Sequence, residues 1–350
     1  MSAIVTGGAG FIGSHLVDVL AASGQRVHVI DDLRWQTHTF AKDAELPEFT
    51  YGWPRRVSTQ WRSIEEVERP AFDPDVIYHL AGPVGPVGVL AQAGRIVPSI
   101  VNDAQKVAKW ATYWGCPLVY VSTSEVYGLQ QQPMTEQAPR IIAAGHSARM
   151  EYAVAKMAAE TMLLNIRGLD VRIIRPFNVA GPRQREEGGF VLPRFIRQAK
   201  AGESLTVYGD GTQRRAFTHV LDIVDGIVRA GTIGQSGEVY NLGNPANECS
   251  INDLAVAVLG LLGKYDGTVR YVDPRELWGP AFHEAPDKVP DITKAREQLG
   301  WEPTRNRATV ILDAAGMSVI GDRGPEFVGR AIVSAIRDYE RRNGNDWRRA

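Results

Sequence analysis

The hydrophobic positions of the N-terminal half fall in short runs that alternate with longer segments of helical periodicity. The apolar runs predict strands at residues 2–5, 26–30, 75–80, 118–121 and 170–175. Between them, apolar residues spaced three and four apart predict helices at residues 14–22, 99–114 and 148–167. Strands that alternate with helices in this way predict an α/β fold built on a doubly wound parallel sheet.

The C-terminal half carries shorter elements, which predict a smaller α/β lobe over the C-terminal ends of the strands. Such sheets bind their ligands at that edge. Helices are predicted from residue 188, at 254–262 behind a capping box at 250–253, at 291–299 and at 330–341, with a strand at 269–272. We therefore predict two domains, residues 1–178 and 179–350, with the chain crossing between them.

Four other stretches carry weaker patterns or none. Residues 83–98 are rich in Gly and Pro and predict either a flexible loop or a loop that covers a substrate. Residues 275–290 predict a loop. Residues 33–74 and 304–350 show no pattern from which an element can be assigned.

Composition excludes several classes of protein. The 350 residues carry a net charge of −1, which favours neither nucleic acid nor an anionic membrane as a partner. No apolar run approaches the length of a membrane span, and the first residues predict a strand rather than a signal peptide. The two cysteines, Cys116 and Cys249, fit no metal-binding spacing and suit a reducing compartment. We expect a cytoplasmic protein without a metal site.

A glycine-rich turn joins the first predicted strand to the first helix. Gly7 permits the tight turn, and Gly10 lets the backbone approach a pyrophosphate at the helix N-terminus. Gly13 permits close packing of the helix against the strand, and Phe11 and Ile12 lie between these two glycines. Strand, glycine turn, helix and strand form the context that a dinucleotide-binding fingerprint requires.

The ends of the second and third predicted strands complete this candidate cofactor site. Asp31 is placed to accept hydrogen bonds from the adenosine ribose hydroxyls, and Asp32 is a second candidate. A carboxylate at this position repels a 2′-phosphate, so the sequence predicts NAD rather than NADP. Leu80 and Ala81 end the strand at 75–80 and should lie beside the cofactor, whereas we interpret His79 as a packed strand-end residue.

Two segments carry the candidate catalytic residues. Tyr152 and Lys156, spaced i and i+4, share one face of a predicted helix. A buried ammonium beside a phenol lowers the pKa of the phenol, and a hydroxyl from Thr123 can share the same substrate oxygen. This set of side chains predicts removal of a proton from an alcohol while a hydride leaves the carbon that carries the hydroxyl. A lone Tyr-x-x-x-Lys pair occurs by chance in many helices, so the prediction depends on its combination with the glycine turn.

Together these motifs resemble the extended short-chain dehydrogenase/reductase family of nucleotide-sugar enzymes. The resemblance rests on residues 6–13, 79–82, 122–128, 152–156, 175–184, 205–219, 240–245 and 290–303. It implies a Rossmann domain that holds NAD and a C-terminal lobe that binds a nucleotide sugar, most simply a UDP-sugar. It also implies a homodimer formed through the helices at 99–114 and 148–167.

The resemblance also implies roles for the candidate catalytic residues, through a transient 4-keto sugar. Tyr152 takes the proton of the C4 hydroxyl, Thr123 binds that oxygen, and Lys156 lowers the pKa of Tyr152 and holds the nicotinamide ribose. Ser124 and Glu125 follow Thr123 where 4,6-dehydratases carry Asp-Glu, which disfavours dehydration. Glu125 is then placed to protonate or position the sugar at C5.

Substrate contacts are implied in the same way. Asn178 and Arg215 match family positions that contact the diphosphate. An arginine suits this role because guanidinium binds phosphate oxygens bidentately. Lys288 appears where decarboxylases of the family carry an arginine, and lysine lacks the guanidinium fork. The remaining substrate-binding candidates are Arg183, Leu192 and Tyr208.

Two reactions and one protein of another class fit this pattern. Residues 122–128 resemble UDP-glucuronic acid decarboxylases and UDP-apiose/xylose synthases, and a 4-keto group makes a C6 carboxylate a β-keto acid that loses CO₂ readily. A UDP-sugar or UDP-uronate 4-epimerase is the alternative, because residues 83–98 and Lys288 depart from the decarboxylase pattern. An inactive NAD-binding sensor or scaffold is the third reading, and the intact Thr123, Tyr152 and Lys156 set speaks against it.

Overall fold

The structure is a computed structural model that describes residues 1–34, 53–130, 134–142, 147–264, 266–278 and 287–317. The helix predicted at 330–341 lies outside the described residues. The strands are β1 Ser2–Thr6, β2 Arg26–Asp31, β3 Val57–Trp61, β4 Val76–His79, β5 Leu118–Val121, β6 Val171–Pro176, β7 Val179–Ala180, β8 Leu205–Tyr208, β9 Arg214–Ala216, β10 Thr218–His219, β11 Val239–Leu242, β12 Glu248–Ser250 and β13 Val269–Val272. The α-helices are α1 Phe11–Ala22, α2 Gly85–Ala91, α3 Ile96–Trp114, α4 Ala148–Asn165, α5 Val191–Ala201, α6 Val220–Ile233, α7 Ile251–Leu261, α8 Pro274–Trp278, α9 Thr293–Leu299 and α10 Arg307–Ala314.

A seven-stranded parallel sheet forms the centre of the molecule, in the order β11-β6-β5-β4-β1-β2-β3. The strand order reverses between β1 and β4, and in open sheets of this kind ligands bind at the C-terminal ends of the strands beside that point. The predicted α/β fold with a doubly wound parallel sheet is confirmed.

Helices cover both faces of this sheet, which explains why its strands read as continuous apolar runs. Every residue of β1, β4 and β5 is buried. Alternate residues of β1 point to opposite faces, so Val5 packs with Leu16 of α1 and Ile223 of α6. Ile4 packs on the other face with Ile100 of α3 and Ala159 of α4. Burial of two faces fixes the register of the strands.

A smaller lobe follows β6 and has its own apolar core, in which Phe195 of α5, Leu254 of α7 and Val310 of α10 are fully buried. Within it β8 pairs in parallel with β13, and β9 pairs antiparallel with β12. The chain also returns to the large sheet, because β11 pairs with β6 at its edge. Residues beyond 178 therefore complete the large sheet, and the division at 178 stays a prediction.

Several elements differ from the sequence predictions. Strand β3 lies in the stretch that gave no pattern, and α10 lies in the unassigned C-terminal stretch. The predicted loop at 83–98 contains α2, which is rich in Gly and has a proline in its first turn, where the missing N–H costs nothing. Helix α8 begins one residue before the predicted loop at 275–290 and extends into it. In α2, packing overrides weak helical propensity.

None of the described helices is both long and apolar enough to span a membrane.

Candidate active site

A cavity of about 1210 Å³ lies at the C-terminal ends of the sheet strands. One wall is formed by the glycine turn after β1, the ends of β4 and β5 and the first half of α4. The opposite wall comes from the smaller lobe, through α5, β8 and β9. The cavity therefore lies between the sheet and the smaller lobe, where the sequence predicts the substrate.

The glycine turn is shaped for close approach of the backbone. Gly7 has a φ of +72°, which side chains rarely tolerate. A Cβ on Gly13 would lie 2.0 Å from the carbonyl oxygen of Gly7, so only glycine fits where α1 meets the turn. Gly10 is the N-cap of α1 and supplies no side-chain cap, which leaves N–H groups of the first turn facing the cavity together with Phe11 and Ile12.

Asp31 lines the cavity and also supports the glycine turn. Its carboxylate accepts hydrogen bonds from the backbone N–H of Ala9, at 2.9 Å, and of Leu33, at 2.8 Å. Burial raises the pKa of Asp31 and these hydrogen bonds partly offset the increase. Each carboxylate oxygen retains capacity for a further hydrogen bond. Asp32 also faces the cavity and pairs with Arg34 at 2.6 Å.

The end of β4 lies directly beside this turn. Leu80 and Ala81 line the cavity, and a Cβ on Gly7 would lie 2.7 Å from the backbone nitrogen of Ala81. His79 is buried, and its Nδ1 lies 2.7 Å from the hydroxyl of Thr6. Burial lowers the pKa of His79 to about 3, so the ring is neutral near pH 7. This agrees with the prediction of a packed residue.

Thr123, Tyr152 and Lys156 meet at the floor of the cavity. Thr123 follows β5, and its side chain lies close enough to the hydroxyl of Tyr152 on α4 to lower the pKa of that hydroxyl. One turn further along α4, the ammonium of Lys156 donates to the carbonyl oxygen of Val121 at 2.9 Å and lies 4.7 Å from the centre of the Tyr120 ring. The arrangement brings two hydroxyls and a buried ammonium to one place.

The expected direction of the Tyr152 pKa is wrong in this geometry. Burial raises the pKa of Tyr152 far above its ordinary value, the charge of Glu125 raises it further, and the hydrogen bond with Thr123 lowers it. Lys156 points to Val121 and does not offset this increase. The pKa of Lys156 itself is lowered by burial to about 8, against the charges of Glu160 and Asp103, which raise it.

Beside Tyr152, Glu125 is held between two cations. Arg149 donates two hydrogen bonds to its carboxylate, at 3.0 and 3.2 Å, and the ammonium of Lys288 lies 2.5 Å from Oε1. Burial raises the pKa of Glu125, but the charges of Arg149 and Lys288 outweigh this and hold it well below its usual range. Glu125 is therefore an anion whose charge is largely balanced. Ser124, next to it, is buried and lines the cavity.

Lys288 reaches Glu125 from behind the cavity wall. Only 1% of the residue is exposed, and burial lowers its pKa to about 8. Its backbone pairs with the strand that carries Arg215, through a hydrogen bond from the Lys288 N–H to the Arg214 carbonyl at 3.0 Å. Lys288 was predicted to contact the substrate, but it is not part of the wall and acts on the cavity only through Glu125.

Arg149 is the residue of this cluster that the sequence analysis missed. It lies three residues before Tyr152, so both side chains project from the same face of α4. That spacing was the available signal. Its pairing with Glu125, 24 residues away in the chain, is visible only in the folded structure.

The substrate side of the cavity holds most of the predicted contacts. Leu192, Tyr208, Arg215 and Asn178 all line it. Asn178 has a φ of +34°, and its buried Oδ1 has no hydrogen-bond partner among the described residues. A backbone strained in this way, and an unsatisfied acceptor, are typical of a ligand site.

Two arginines differ from the sequence prediction in whether they line the cavity. Arg183 was predicted to bind substrate, but it pairs with Asp18 of α1 at 2.6 Å and does not line the cavity. Its φ of +66° turns the chain so that the side chain reaches α1 instead. Arg194 was not predicted, yet it lines the cavity and stacks on the Tyr208 ring at 4.2 Å.

No cluster of three or more His, Cys, Asp or Glu side chains suited to a metal ion occurs in the part of the chain that the structure describes.

Comparison with known proteins identifies the family. The model of the NAD dependent epimerase/dehydratase family matches residues 3–243. The chain is 31% identical over 304 residues to a UDP-N-acetyl-alpha-D-glucosaminuronate decarboxylase of Bacillus cytotoxicus, a match that covers 86% of this chain and 92% of that protein. It is 36% identical over 314 residues to UDP-glucuronic acid decarboxylase 6 of Arabidopsis thaliana, covering 87% and 84% of the two chains.

Solved structures resemble it over nearly the whole length. The UDP-glucose 4-epimerase of Thermotoga maritima, with UDP-glucose, superposes with a TM-score of 0.76 at 26% identity and covers 91% of this chain and 98% of that one. The UDP-glucuronic acid 4-epimerase of Bacillus cereus, with UDP-glucuronic acid and NAD, gives 0.76 at 25% identity and the same coverage. Sequence, fold and site geometry agree, and the chain belongs to the NAD dependent epimerase/dehydratase family, as its resemblance to extended short-chain dehydrogenases/reductases implied.

Proposed function

We propose that this protein is an NAD-dependent enzyme that decarboxylates a UDP-uronate, with UDP-glucuronate as the simplest substrate, through a transient 4-keto sugar. The observation that carries the proposal is the Glu125 cluster beside the Thr123–Tyr152 pair. It places an arginine and a balanced carboxylate next to the hydroxyls that act on a sugar C4. The decarboxylases at 31% and 36% identity support the same reaction.

The residues at the sheet end of the cavity fit NAD. The uncapped N-terminus of α1 favours a pyrophosphate, and the clearance left by Gly7 and Gly13 admits its close approach. Asp31 is available for the ribose hydroxyls, and the buried hydroxyl of Ser122, which has no partner among the described residues, faces the cavity. When bound, NAD accepts a hydride from the sugar and later returns it.

The chain's own residues handle the proton of the C4 hydroxyl. The side chains of Thr123 and Tyr152 lie close together in the cavity wall, so one substrate oxygen can contact both of them. Tyr152 must lose its own proton before it accepts that of the sugar, and the negative charge of Glu125 opposes this. Arg149 and Lys288 balance that charge, and we infer that they are needed for Tyr152 to act as a base.

The same cluster serves the second stage of the reaction. With a carbonyl at C4, the bond between C5 and C6 breaks, CO₂ leaves, and the electron pair is delocalised onto the C4 oxygen as an enolate. C5 then takes a proton, and the enolate oxygen returns to a carbonyl. Arg149, which lines the cavity, fixes the carboxylate of Glu125 through two hydrogen bonds, and Glu125 is placed to position the ring at C5.

One incubation tests the proposal. The purified protein is mixed with NAD and UDP-glucuronate labelled with carbon-13 at C6, and the products are followed by carbon NMR and mass spectrometry. Labelled CO₂ together with a UDP-pentose is the expected result. Complete recovery of the label in unchanged UDP-glucuronate would overturn the proposed reaction.

A second candidate function is 4-epimerisation of a UDP-uronate. It is favoured by the resemblance to the UDP-glucuronic acid 4-epimerase of Bacillus cereus and by the place of Lys288 behind Glu125 rather than in the wall. The same incubation separates the two reactions, because epimerisation keeps the mass and the C6 label and changes only the stereochemistry at C4.

We also propose a homodimer formed through α3 and α4. These helices pack side by side on one face of the sheet and expose the apolar side chains of Tyr113 and Leu164. Light scattering coupled to size-exclusion chromatography tests this, with a mass of twice 38.4 kDa expected. A single-chain mass at micromolar concentration would contradict it.

A further inference from the structure

The connector between α2 and α3, residues 92–95, forms part of the cavity wall. Gln92, Ala93 and Arg95 all line the cavity. Arg95 is the residue before α3 begins, and its own side chain does not cap that helix. The N-terminus of α3 therefore depends on another part of the chain for its cap.

Glu151 of α4 supplies that cap from a distance. Its carboxylate accepts the N–H of Gly94 at 2.6 Å and the N–H of Ile96 at 2.9 Å. The two hydrogen bonds hold the backbone on either side of Arg95. A carboxylate at a helix N-terminus also interacts favourably with the helix dipole. The connector is therefore tied to the helix that carries the catalytic tyrosine.

The tie joins Arg95 to the helix that carries the catalytic tyrosine. Glu151 directly precedes Tyr152 in the chain and lies two residues after Arg149, so the connector is held at the first turns of α4. The other end of α2 is held by the smaller lobe, because a Cβ on Gly85 would lie 2.5 Å from the Gly188 carbonyl oxygen. The connector is thus anchored on both sides.

The charge environment of Arg95 differs from that of Arg149, the arginine of the Glu125 cluster. Arg149 is neutralised by Glu125. No carboxylate among the described residues forms an ion pair with Arg95, whose side chain is exposed to the cavity. A guanidinium held at a fixed backbone position, with its fork open, is suited to bind a carboxylate bidentately.

We propose that Arg95 is a specificity residue that selects acidic nucleotide sugars by binding the carboxylate of the sugar, and that Glu151 is the positioning residue that holds it there. This deepens the proposed function, on which it rests for the class of substrate. Selection by Arg95 concerns binding, so it can be tested without turnover.

The test compares the binding of two ligands by calorimetry, to the full-length protein saturated with NADH, which cannot accept a hydride and so prevents turnover of UDP-glucuronate. UDP-glucuronate and UDP-glucose differ only in the charged group at C6, so the ratio of their dissociation constants isolates the recognition of that group. The wild type should prefer UDP-glucuronate. Arg95→Gln should reduce the preference about tenfold, the scale of one charge-assisted hydrogen bond, and Arg95→Lys should fall between the two.

Glu151→Gln tests the positioning role. Its amide can accept only one of the two N–H groups, so the connector loosens and the preference for the acid should fall in the same direction. If Glu151 acts through Arg95, the double variant should have the same preference as Arg95→Gln alone, since interacting residues are not additive. Additive losses would overturn the positioning role.

Control variants separate this effect from general damage. Arg270→Gln removes an exposed arginine of β13 outside the cavity, and Asn306→Ala removes the cap of α10, which is equally remote. Both should keep the wild-type ratio. An Arg95→Gln protein that keeps the wild-type preference, or a wild type that binds UDP-glucose as tightly as UDP-glucuronate, would overturn the proposal. Either result stands apart from the release of CO₂, which tests the reaction itself.

Discussion

Arg149 donates two hydrogen bonds to Glu125 from one helical turn before Tyr152, so a single face of α4 carries both the base and the cation that balances its neighbouring carboxylate. Lys288 completes the balance from behind the wall. Because the charge of Glu125 raises the pKa of Tyr152, the ion cluster and the base are linked electrostatically.

Glu125→Gln should lower the pKa of Tyr152, since it removes a negative charge beside the phenol. Tyr152 acts in its deprotonated form, so activity rises as the pH rises through its pKa, and the acid limb of the rate profile should move to lower pH in this variant. The maximal rate of CO₂ release should fall about 100-fold, because positioning at C5 is lost. Rate profiles of kcat from pH 5 to 10 test this. An acid limb that stays in place would show that Glu125 and Tyr152 are not linked.

Tyr152→Phe should abolish turnover while the substrate still binds. Removal of a general base lowers kcat by about 10²- to 10⁴-fold, whereas the phenyl ring keeps the packing of this buried residue. Turnover is followed by release of labelled CO₂ and binding by calorimetry with UDP-glucuronate. Wild-type turnover in this variant would remove Tyr152 from the mechanism, whereas equal behaviour of the variant and the wild type without turnover would support the sensor or scaffold reading.

Lys288→Arg should change the alkaline limb of the rate profile. The pKa values of Lys156 and Lys288 are both lowered by burial to about 8, and both residues serve in their charged form, so each of their two proton losses should reduce wild-type activity above pH 8. An arginine at 288 stays charged, so the variant should lose only one proton and fall less steeply. The slope of log kcat between pH 8 and 10 decides the outcome, and equal slopes would remove Lys288 from the mechanism.

Gly13→Ala should destabilise the protein strongly. The new methyl group would lie 2.0 Å from the Gly7 carbonyl oxygen, and overpacking against backbone costs about 3 kcal/mol or more. Gly260→Ala is the matched control: it lies in α7 with no heavy atom within 4 Å of the new Cβ, and should stabilise by about 0.5–1 kcal/mol. Urea unfolding measures both changes. Equal effects at the two positions would refute the packing argument.

Glu160→Ala should also destabilise the protein, although it lies outside the cavity wall. Its buried carboxylate accepts hydrogen bonds from Arg175 at 2.7 and 3.0 Å, and removal leaves a buried guanidinium without its counter-ion. A loss of about 3–5 kcal/mol in the free energy of unfolding is expected. The exposed pair of Glu203 with Arg197 provides the control, since Glu203→Ala should change the stability by less than about 1 kcal/mol. A small loss at Glu160 would contradict this account.

Local chemistry explains which parts of the fold were predictable. The buried strands read as apolar runs because both of their faces are covered, and the glycine turn is recognisable because Gly7 and Gly13 have no alternative side chain that fits. Helix α2 was not predictable, because its Gly and Pro content predicts a loop and only packing against α4 and the smaller lobe makes it helical.

In the site, residues linked by helical spacing were predictable and residues linked only by tertiary contact were not. Tyr152 and Lys156 could be identified as a pair because their spacing places both side chains on one face of α4. The direction of the Tyr152 pKa depends on where Lys156 points, and that is set by the Val121 carbonyl on a different element. The place of Arg183 was not predictable for a related reason: its left-handed backbone and its partner Asp18 are properties of the folded chain.

The return of β11 to the edge of the large sheet has a consequence for how the chain folds during synthesis. Asn241 in β11 accepts a hydrogen bond from Tyr127, in the segment that follows β5, at 2.7 Å. Tyr127 thus leaves the ribosome long before Asn241. The parallel pairing of β6 with β11 likewise cannot form until most of the smaller lobe has been translated. A nascent chain halted at residue 178 would keep an open sheet edge beside its catalytic segment, an exposed pairing surface on which a chaperone or a second nascent chain can act.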